Sequence, residues 1–406
     1  MEAAYIPRSL EAVVRKAAAE FPAVVVIGPR QSGKTTMLTH LFGERIPMVS
    51  LESPDVRMAA ANDPRGFLSF YPPPVILDEI QYVPELLPYI KEHIDAHRSQ
   101  PGQYILTGSQ NLLMMQQVSE SLAGRTAVLK LLPLSRWELA RMPERRLPWE
   151  ASPEASLPPQ SSPDLWEQVL RGYYPEPANN PDRDTRLWQA SYVQTYLERD
   201  VRNLRDVGDL TLFQTFLRAL AARSAQILNL SELARDVGVA VNTARDWLSV
   251  LEASFQVFLL RPYFANIGKR LVKSPKIYFM DTGILCYLVG LRDGAHAAAG
   301  PMGGAIFENL VVSDLYKIYT HRGEEPALYY WRTAAGAEVD VVIDVQGRLI
   351  PLEIKLSATP RLEMAQELLR FRRDFQEKAG PGYVIHPGTM SLPLGPGVVS
   401  YTLDNL

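Results

Sequence analysis

The sequence predicts an α/β protein: a parallel sheet built around a phosphate-binding loop, then helical modules, then a second α/β domain. Three observations predict it. An apolar run, Ala23-Val24-Val25-Val26-Ile27, leads directly into GPRQSGKT (Gly28 to Thr35) and then into a helix-like stretch, TMLTHL. Further short apolar runs at 47–51, 74–77, 103–106 and 128–132 alternate with helical stretches, the clearest at 85–97. Such alternation gives parallel strands covered on both faces. Past residue 330, two strands joined at Gln346-Gly347 are flanked by helical patterns at 306–319 and 361–377 and by a last strand at 382–386.

The glycine-bounded loop fixes the first chemistry. Glycines let consecutive backbone N–H groups turn inward around anionic oxygens, and the helix that follows adds its unsatisfied N–H groups. Gly28, Pro29, Arg30, Gln31, Ser32, Gly33, Lys34, Thr35 and Thr36 are therefore the expected nucleotide-binding residues. Lys34 would reach the outer phosphates and Thr35 would hold Mg²⁺. The expected cofactors are ATP and Mg²⁺.

The third run, VILDEIQ, ends in two carboxylates. Asp78 suits the metal shell and Glu79 suits polarising the attacking water. One extra strand, 47–51, lies along the chain between the loop and this pair. The fourth run ends in Thr107, Ser109, Gln110 and Asn111. Ser109, with Thr107 behind it, would face the outer phosphate and the water; a helix N-cap is the other reading. Arg125 stands just before the fifth strand, either as a cation reaching another nucleotide or as a surface arginine.

Composition bounds the rest. The chain has 406 residues, 47% hydrophobic and 21% charged, enough for several domains. A net charge of -3 supplies no global basic field, so any nucleic-acid contact needs a local patch. The single cysteine, Cys286, leaves no internal disulfide framework and fits a reducing cytoplasm. No secretory apolar segment opens the chain and no run is long enough to span a bilayer, so a membrane is not expected as a partner.

Residues 143–164 are rich in Pro and Ser and read as a linker. Residues 165–209 read as a helical lid, whose Arg199 and Arg202 are either sensors or surface ions. Residues 210–282 read as a winged helix-turn-helix. Within it, NLSELARDVGVAVNTARDWLSVLEAS has Ser231 as the expected cap, Gly238 as the break, and Val241, Ala244, Leu248 and Leu251 on one face. Asn242, Thr243 and Arg245 would face outward toward DNA, with Lys269, Arg270, Lys273 and Lys276 as a basic wing. Asp246 on the same helix weighs against DNA, and a protein-packing role is the alternative.

Residues 283–406 bring Glu308 on a helix, Asp340 on a strand, and Glu353 and Lys355 two apart on the paired strand, hence on one face. That is the arrangement of PD-(D/E)xK nucleases. There, two carboxylates hold Mg²⁺ and a lysine orients water. A nuclease-like domain without cleavage is the alternative.

Taken together, GPRQSGKTT, LDEIQYVPELL, ILTGSQN, SLAGR, GYYPEP, KSPKIYFMDTG, FENLVV and GAEVDVVI followed by LEIK resemble prokaryotic ATP-binding proteins that join an AAA-type P-loop ATPase to a C-terminal domain of unknown function. The resemblance implies an AAA-type domain over 1–142, ATP hydrolysis and DNA-linked work. It implies a sensor role for Ser109 and an arginine finger at Arg125, acting across a homo-oligomer such as a hexamer. The C-terminal region is similar to Holliday-junction resolvases, a restriction-endonuclease-like fold. Three functions follow as expectations: a helicase- or translocase-like motor that remodels DNA, branched DNA included; an ATP-regulated, Mg²⁺-dependent nuclease; or a signalling or scaffold ATPase that binds protein.

Overall fold

The computed structural model describes residues 4–109, 121–150, 165–197, 210–263 and 274–406. The first domain runs α1 (Leu10–Glu20), β1 (Ala23–Ile27), α2 (Lys34–Phe42), β2 (Met48–Ser50), α3 (Pro54–Asn62), α4 (Pro64–Phe70), β3 (Val75–Asp78), α5 (Leu86–Ala96), β4 (Tyr104–Gly108) and β5 (Thr126–Lys130). The five strands are parallel, in the order β2-β3-β4-β1-β5. β1 is buried along its whole length because helices cover both sheet faces. Val24 and Val26 pack with Leu10, Val14 and Met37 on one side. Val25 and Ile27 pack on the other with Leu77, Leu106 and Ile90. Each such aliphatic side chain contributes about 1.5–3 kcal/mol when removed from water. The strand spatially between β1 and β3 is β4. β2, which intervenes along the chain, lies at the sheet edge.

Short helices α6 (Arg136–Leu139), α7 (Leu165–Arg171), α8 (Pro175–Asn179) and α9 (Thr185–Tyr192) follow, and α9 runs into a π-helical turn, Val193–Leu197. Arg199 and Arg202 lie outside the described residues. α10 (Leu210–Ala221), α11 (Leu230–Val237) and α12 (Val241–Ala253) form the helical module. Phe213 and Phe216 pack against Trp247 with ring centroids 5.5 and 5.4 Å apart. Asn229, rather than Ser231, caps α11: its side chain accepts from the Glu232 N–H at 3.2 Å. Gly238 ends α11 in the left-handed region at φ 81°, as a C-cap glycine does.

The C-terminal region contains β6 (Val257–Pro262), β7 (Lys276–Phe279), α13 (Thr282–Leu288), α14 (Gly294–Ala299), α15 (Gly303–His321), β8 (Leu328–Arg332), β9 (Glu338–Val345), β10 (Arg348–Ile354), α16 (Gln366–Phe375), β11 (Gly382–His386), β12 (Pro393–Gly395) and β13 (Val398–Thr402). These strands make one mixed sheet, β12-β13-β11-β10-β9-β8-β6-β7. α15 covers one face and α16 the other: Val341 and Ile343 share a core with Phe307 and Leu310, whereas Val342 and Val384 share one with Phe371 and Phe375. The strand pair read as a wing is β6 and β7. β6 also pairs in parallel with β8, Arg261 opposite Tyr329. The ladder therefore runs across the boundary expected at 282/283, and the pair belongs to the large sheet. Among the described residues, no helix is long and apolar enough to cross a membrane.

Candidate active site

The loop after β1 is shaped by two glycines. A Cβ on Gly28 would stand 2.0 Å from the Leu131 carbonyl oxygen, so the close approach admits no side chain. Gly33 takes φ 92° and opens α2. Lys34 Nζ is buried and donates to the Gly28 and Pro29 carbonyls, 3.0 Å each, which holds the ammonium over the loop.

β3 carries Asp78 to the same end of the sheet. Thr35 Oγ1 donates toward both Asp78 carboxylate oxygens at 3.2 Å. Thr107 Oγ1, at the end of β4, donates to Asp78 Oδ1 at 2.5 Å and accepts from the Glu79 N–H at 3.0 Å. Burial raises the Asp78 pKa above the usual carboxylate range, partly offset by the Thr107 and Thr35 hydrogen bonds. A cation at this point would be drawn to a carboxylate whose charge is poorly solvated. The donor set, one carboxylate and one hydroxyl on neighbouring elements, is oxygen-only and fits Mg²⁺.

Glu79 occupies the left-handed region, φ 59° and ψ 50°. For a residue with a side chain this costs about 1–3 kcal/mol. The Thr107 acceptor holds its backbone, and two donors hold its carboxylate. Ser109 Oγ donates to Glu79 Oε2 at 3.0 Å, and Gln81 Nε2 donates to the same oxygen and to Ser109 Oγ at 3.2 Å. Both polar residues expected at the end of β4 therefore reach the carboxylate pair, Thr107 to Asp78 and Ser109 to Glu79. Gln81 is a further member that the sequence reading missed. Gln110 and Asn111 lie outside the described residues.

Arg125 does not enter this site. It stands at the opposite end of the parallel sheet, where Nε and Nη2 meet Asp95 Oδ1 and Oδ2 at 2.6 and 3.1 Å. Arg8, by contrast, touches the loop from outside the motif. Its Nη1 donates to the Ser32 carbonyl at 2.8 Å, its Nη2 to Leu132 at 2.7 Å, and its Nε lies 3.2 Å from Glu138 Oε1. Glu138 and His321 are both fully buried, with His321 Nδ1 3.0 Å from Glu138 Oε1. His321 Nε2 accepts from the Leu132 N–H at 3.0 Å, which leaves the proton on Nδ1. The loop is thereby joined through Arg8 and Glu138 to α15 of the C-terminal sheet.

The GYYPEP segment joins the same centre. Asp281 accepts from the Tyr173 N–H at 2.6 Å and from the Ile284 N–H at 2.9 Å, so this segment is pinned to the end of KSPKIYFMD.

Three families match the chain. The AAA domain covers residues 20–140, a domain of unknown function (DUF8612) covers 162–295, and another (DUF4143) covers 303–405. The uncharacterized protein Rv2008c of Mycobacterium tuberculosis is 31% identical over 401 residues, 98% of this chain and 84% of its own length. The chain belongs to this family of AAA-domain proteins. The uncharacterized protein Mb2031c of Mycobacterium bovis matches over the same 401 residues at the same identity. Among solved structures, the Walker-type ATPase PABY2304 of Pyrococcus abyssi aligns at 16% identity and a TM-score of 0.43, over 69% of this chain and 94% of that one. RuvB of Thermotoga maritima aligns at 19% identity and a TM-score of 0.25, over 62% and 86%. The AAA-family match makes the first domain an AAA-type P-loop ATPase domain, and the structure gathers Lys34, Thr35, Asp78 and Glu79 at one end of its sheet.

The other expected residues divide. Asn242 and Arg245 are exposed on α12, where Arg245 Nη1 donates to Asn242 Oδ1 at 2.7 Å; Thr243 is half-buried beside them. Trp247, not Val241, is on the buried face of that helix. Lys269, Arg270 and Lys273 lie outside the described residues. Lys276 is a correction: it is buried, not part of an exposed basic wing, and its ammonium faces carboxylates. Glu308, Asp340, Glu353 and Lys355 gather on one side of the C-terminal sheet. Asp340 Oδ2 accepts from the Ile354 N–H at 2.8 Å, and Lys355 Nζ lies 2.5 Å from Glu353 Oε1. Burial, then the Asp340 charge, pushes the Glu308 carboxyl up to about 7 and the Glu353 carboxyl up to about 8.

Proposed function

We propose that this chain hydrolyses ATP and delivers the resulting motion to DNA. The observation that carries the first half is Glu79, held beside Asp78 with its carboxylate fixed by Ser109 and Gln81. A carboxylate placed and oriented there accepts a proton from an attacking water. Lys34 exchanges its loop carbonyls for phosphate oxygens, and the loop N–H groups orient the phosphates. Thr35 and Asp78 would hold Mg²⁺, which when bound neutralises charge on the phosphate oxygens.

The DNA half rests on the two-helix module, whose second helix exposes Asn242 and Arg245. These residue types suit base edges and phosphates. The Arg8–Glu138–His321 path offers a route from the loop to the C-terminal sheet. An assembly of several copies rests on Arg125, which would exchange Asp95 for a neighbour's phosphates.

ATP turnover of the full chain and of Lys34→Ala, with no DNA and with linear, single-stranded and four-way-junction DNA, tests both halves. Turnover that needs Lys34 and rises with one of the DNAs is expected. A flat response to all three removes the DNA half, and turnover unaffected by Lys34→Ala removes the first.

A further inference from the structure

A PD-(D/E)xK site implies Mg²⁺ between the carboxylates of Glu308, Asp340 and Glu353. The residues present do not fit that ion, because two of those carboxylates, Glu308 and Asp340, already face a cation of the chain's own, and Glu353 faces Lys355. Lys276 Nζ lies 3.0 Å from Glu308 Oε1, 2.7 Å from Glu338 Oε1 and 3.8 Å from Asp340 Oδ1. Its side chain is 4% exposed. Among the described residues, no group of three or more His, Cys, Asp or Glu side chains is disposed to hold a metal.

The lysine is not a mobile surface group that happens to reach inward. Its backbone is paired with Leu260 on β6 and bridged to Ile227, so its Cα is fixed in the sheet. Tyr278, two residues on and therefore on the same face, donates to Glu308 Oε1 at 2.6 Å. Two further ion pairs lie alongside, although Glu353 Oε2 is buried without a hydrogen-bond partner. Arg332 Nη1 lies 3.0 Å from Glu338 Oε2, and Lys355 lies against Glu353.

We infer that Lys276 takes the place of the divalent metal in this nuclease-like cluster. The cluster, four carboxylates around three cations, is an ion-paired joint that ties β7, α15 and β9 together and does not support Mg²⁺-dependent cleavage. A divalent ion and a lysine ammonium cannot share these carboxylate oxygens, since like charges within about 4 Å repel strongly away from water. The inference goes beyond the ATPase reading and does not depend on it.

Mn²⁺ binding to the full chain, followed by the electron paramagnetic resonance signal of the free ion, tests this. The Asp78→Asn background, without nucleotide, silences the P-loop site. In that background, adding Asp340→Asn should change Mn²⁺ binding by less than about twofold. Replacing Lys276 by Met should raise affinity by roughly tenfold or more, because one positive charge is removed from beside three carboxylates. Adding Asp340→Asn to Lys276→Met should abolish the gain. An Mn²⁺ site in the Asp78→Asn chain that Asp340→Asn destroys would overturn the inference. So would a folded Lys276→Met chain with no gain. If Lys276→Met does not fold, the comparison of Asp78→Asn with and without Asp340→Asn still decides.

Discussion

His321 Nδ1 lies 3.0 Å from Glu138 Oε1, with both side chains at 0% exposure. One closes α15 of the C-terminal domain and the other lies at the end of the ATPase domain. Arg8 approaches the same Glu138 oxygen and also the Ser32 carbonyl of the P-loop. Glu138 further accepts from the Ser9 and Ser135 N–H groups, 2.9 Å each. A change of loop geometry on nucleotide binding therefore meets a buried, fully bonded carboxylate whose other partner, His321, is in the C-terminal domain.

Removing one partner should cost far more than an exposed ion pair would. Arg8→Ala leaves Glu138 buried with its strongest cation gone, a loss of about 3–5 kcal/mol. Chemical denaturation should show this as a lower midpoint at pH 7. Nucleotide affinity should fall as well, because the Ser32 carbonyl loses its donor. An unchanged midpoint would remove Arg8 from the joint.

The pair also predicts a pH dependence. Burial lowers the His321 pKa, more than the Glu138 charge raises it. The unfolded histidine, with a pKa of about 6.5, takes a proton that the folded one refuses. Stability is thus complete above about 6.5 and falls as pH drops through the unfolded value toward the folded one. The Glu138 carboxyl is held well below its usual range: burial alone would raise it, but Arg8 and His321 outweigh burial. Its contribution is present above about 4.3 and is lost further into acid. His321→Gln should flatten the stability profile between pH 7 and 5 by up to about 1.4 kcal/mol per pH unit. Denaturation midpoints at four pH values, compared with the parent chain, check it.

Thr107→Val removes both the donor to Asp78 and the acceptor for the Glu79 N–H while keeping shape. The buried Asp78 carboxylate and the half-buried Glu79 N–H each lose a partner, at about 1–3 kcal/mol apiece. Turnover should drop with a weaker dependence on Mg²⁺. Ser109→Ala should lower turnover less than Thr107→Val, since Gln81 still holds Glu79. Rates across a Mg²⁺ titration separate the two variants.

The P-loop and the Asp78-Glu79 pair were legible because each is local: strand, loop and helix are contiguous, and Thr107 and Ser109 stand at the end of the next strand, β4. What was not legible depends on distant partners. Gln81 looked like any polar residue after a strand; it reaches Glu79 only because Glu79 turns into the left-handed region. Arg8 meets residues 24 and about 130 positions away. Lys276 sat in a run of basic residues that reads as solvated, yet Glu308, Glu338 and Asp340, all far along the chain, enclose it. For the same reason β6 and β7 read as a separate wing, since β8 arrives only after two short helices and the long α15. β12 and β13 were missed: one is three residues long, and the other sits among prolines and glycines.

The central claim is that Glu79 activates water for ATP hydrolysis. Glu79→Gln keeps the shape and the hydrogen-bonding side chain but removes the base. Single-turnover hydrolysis and ATP affinity of this variant, measured beside the parent chain, test it most directly. Affinity within about threefold and hydrolysis slower by about 10²–10⁴-fold are predicted. Hydrolysis at the parent rate would contradict it.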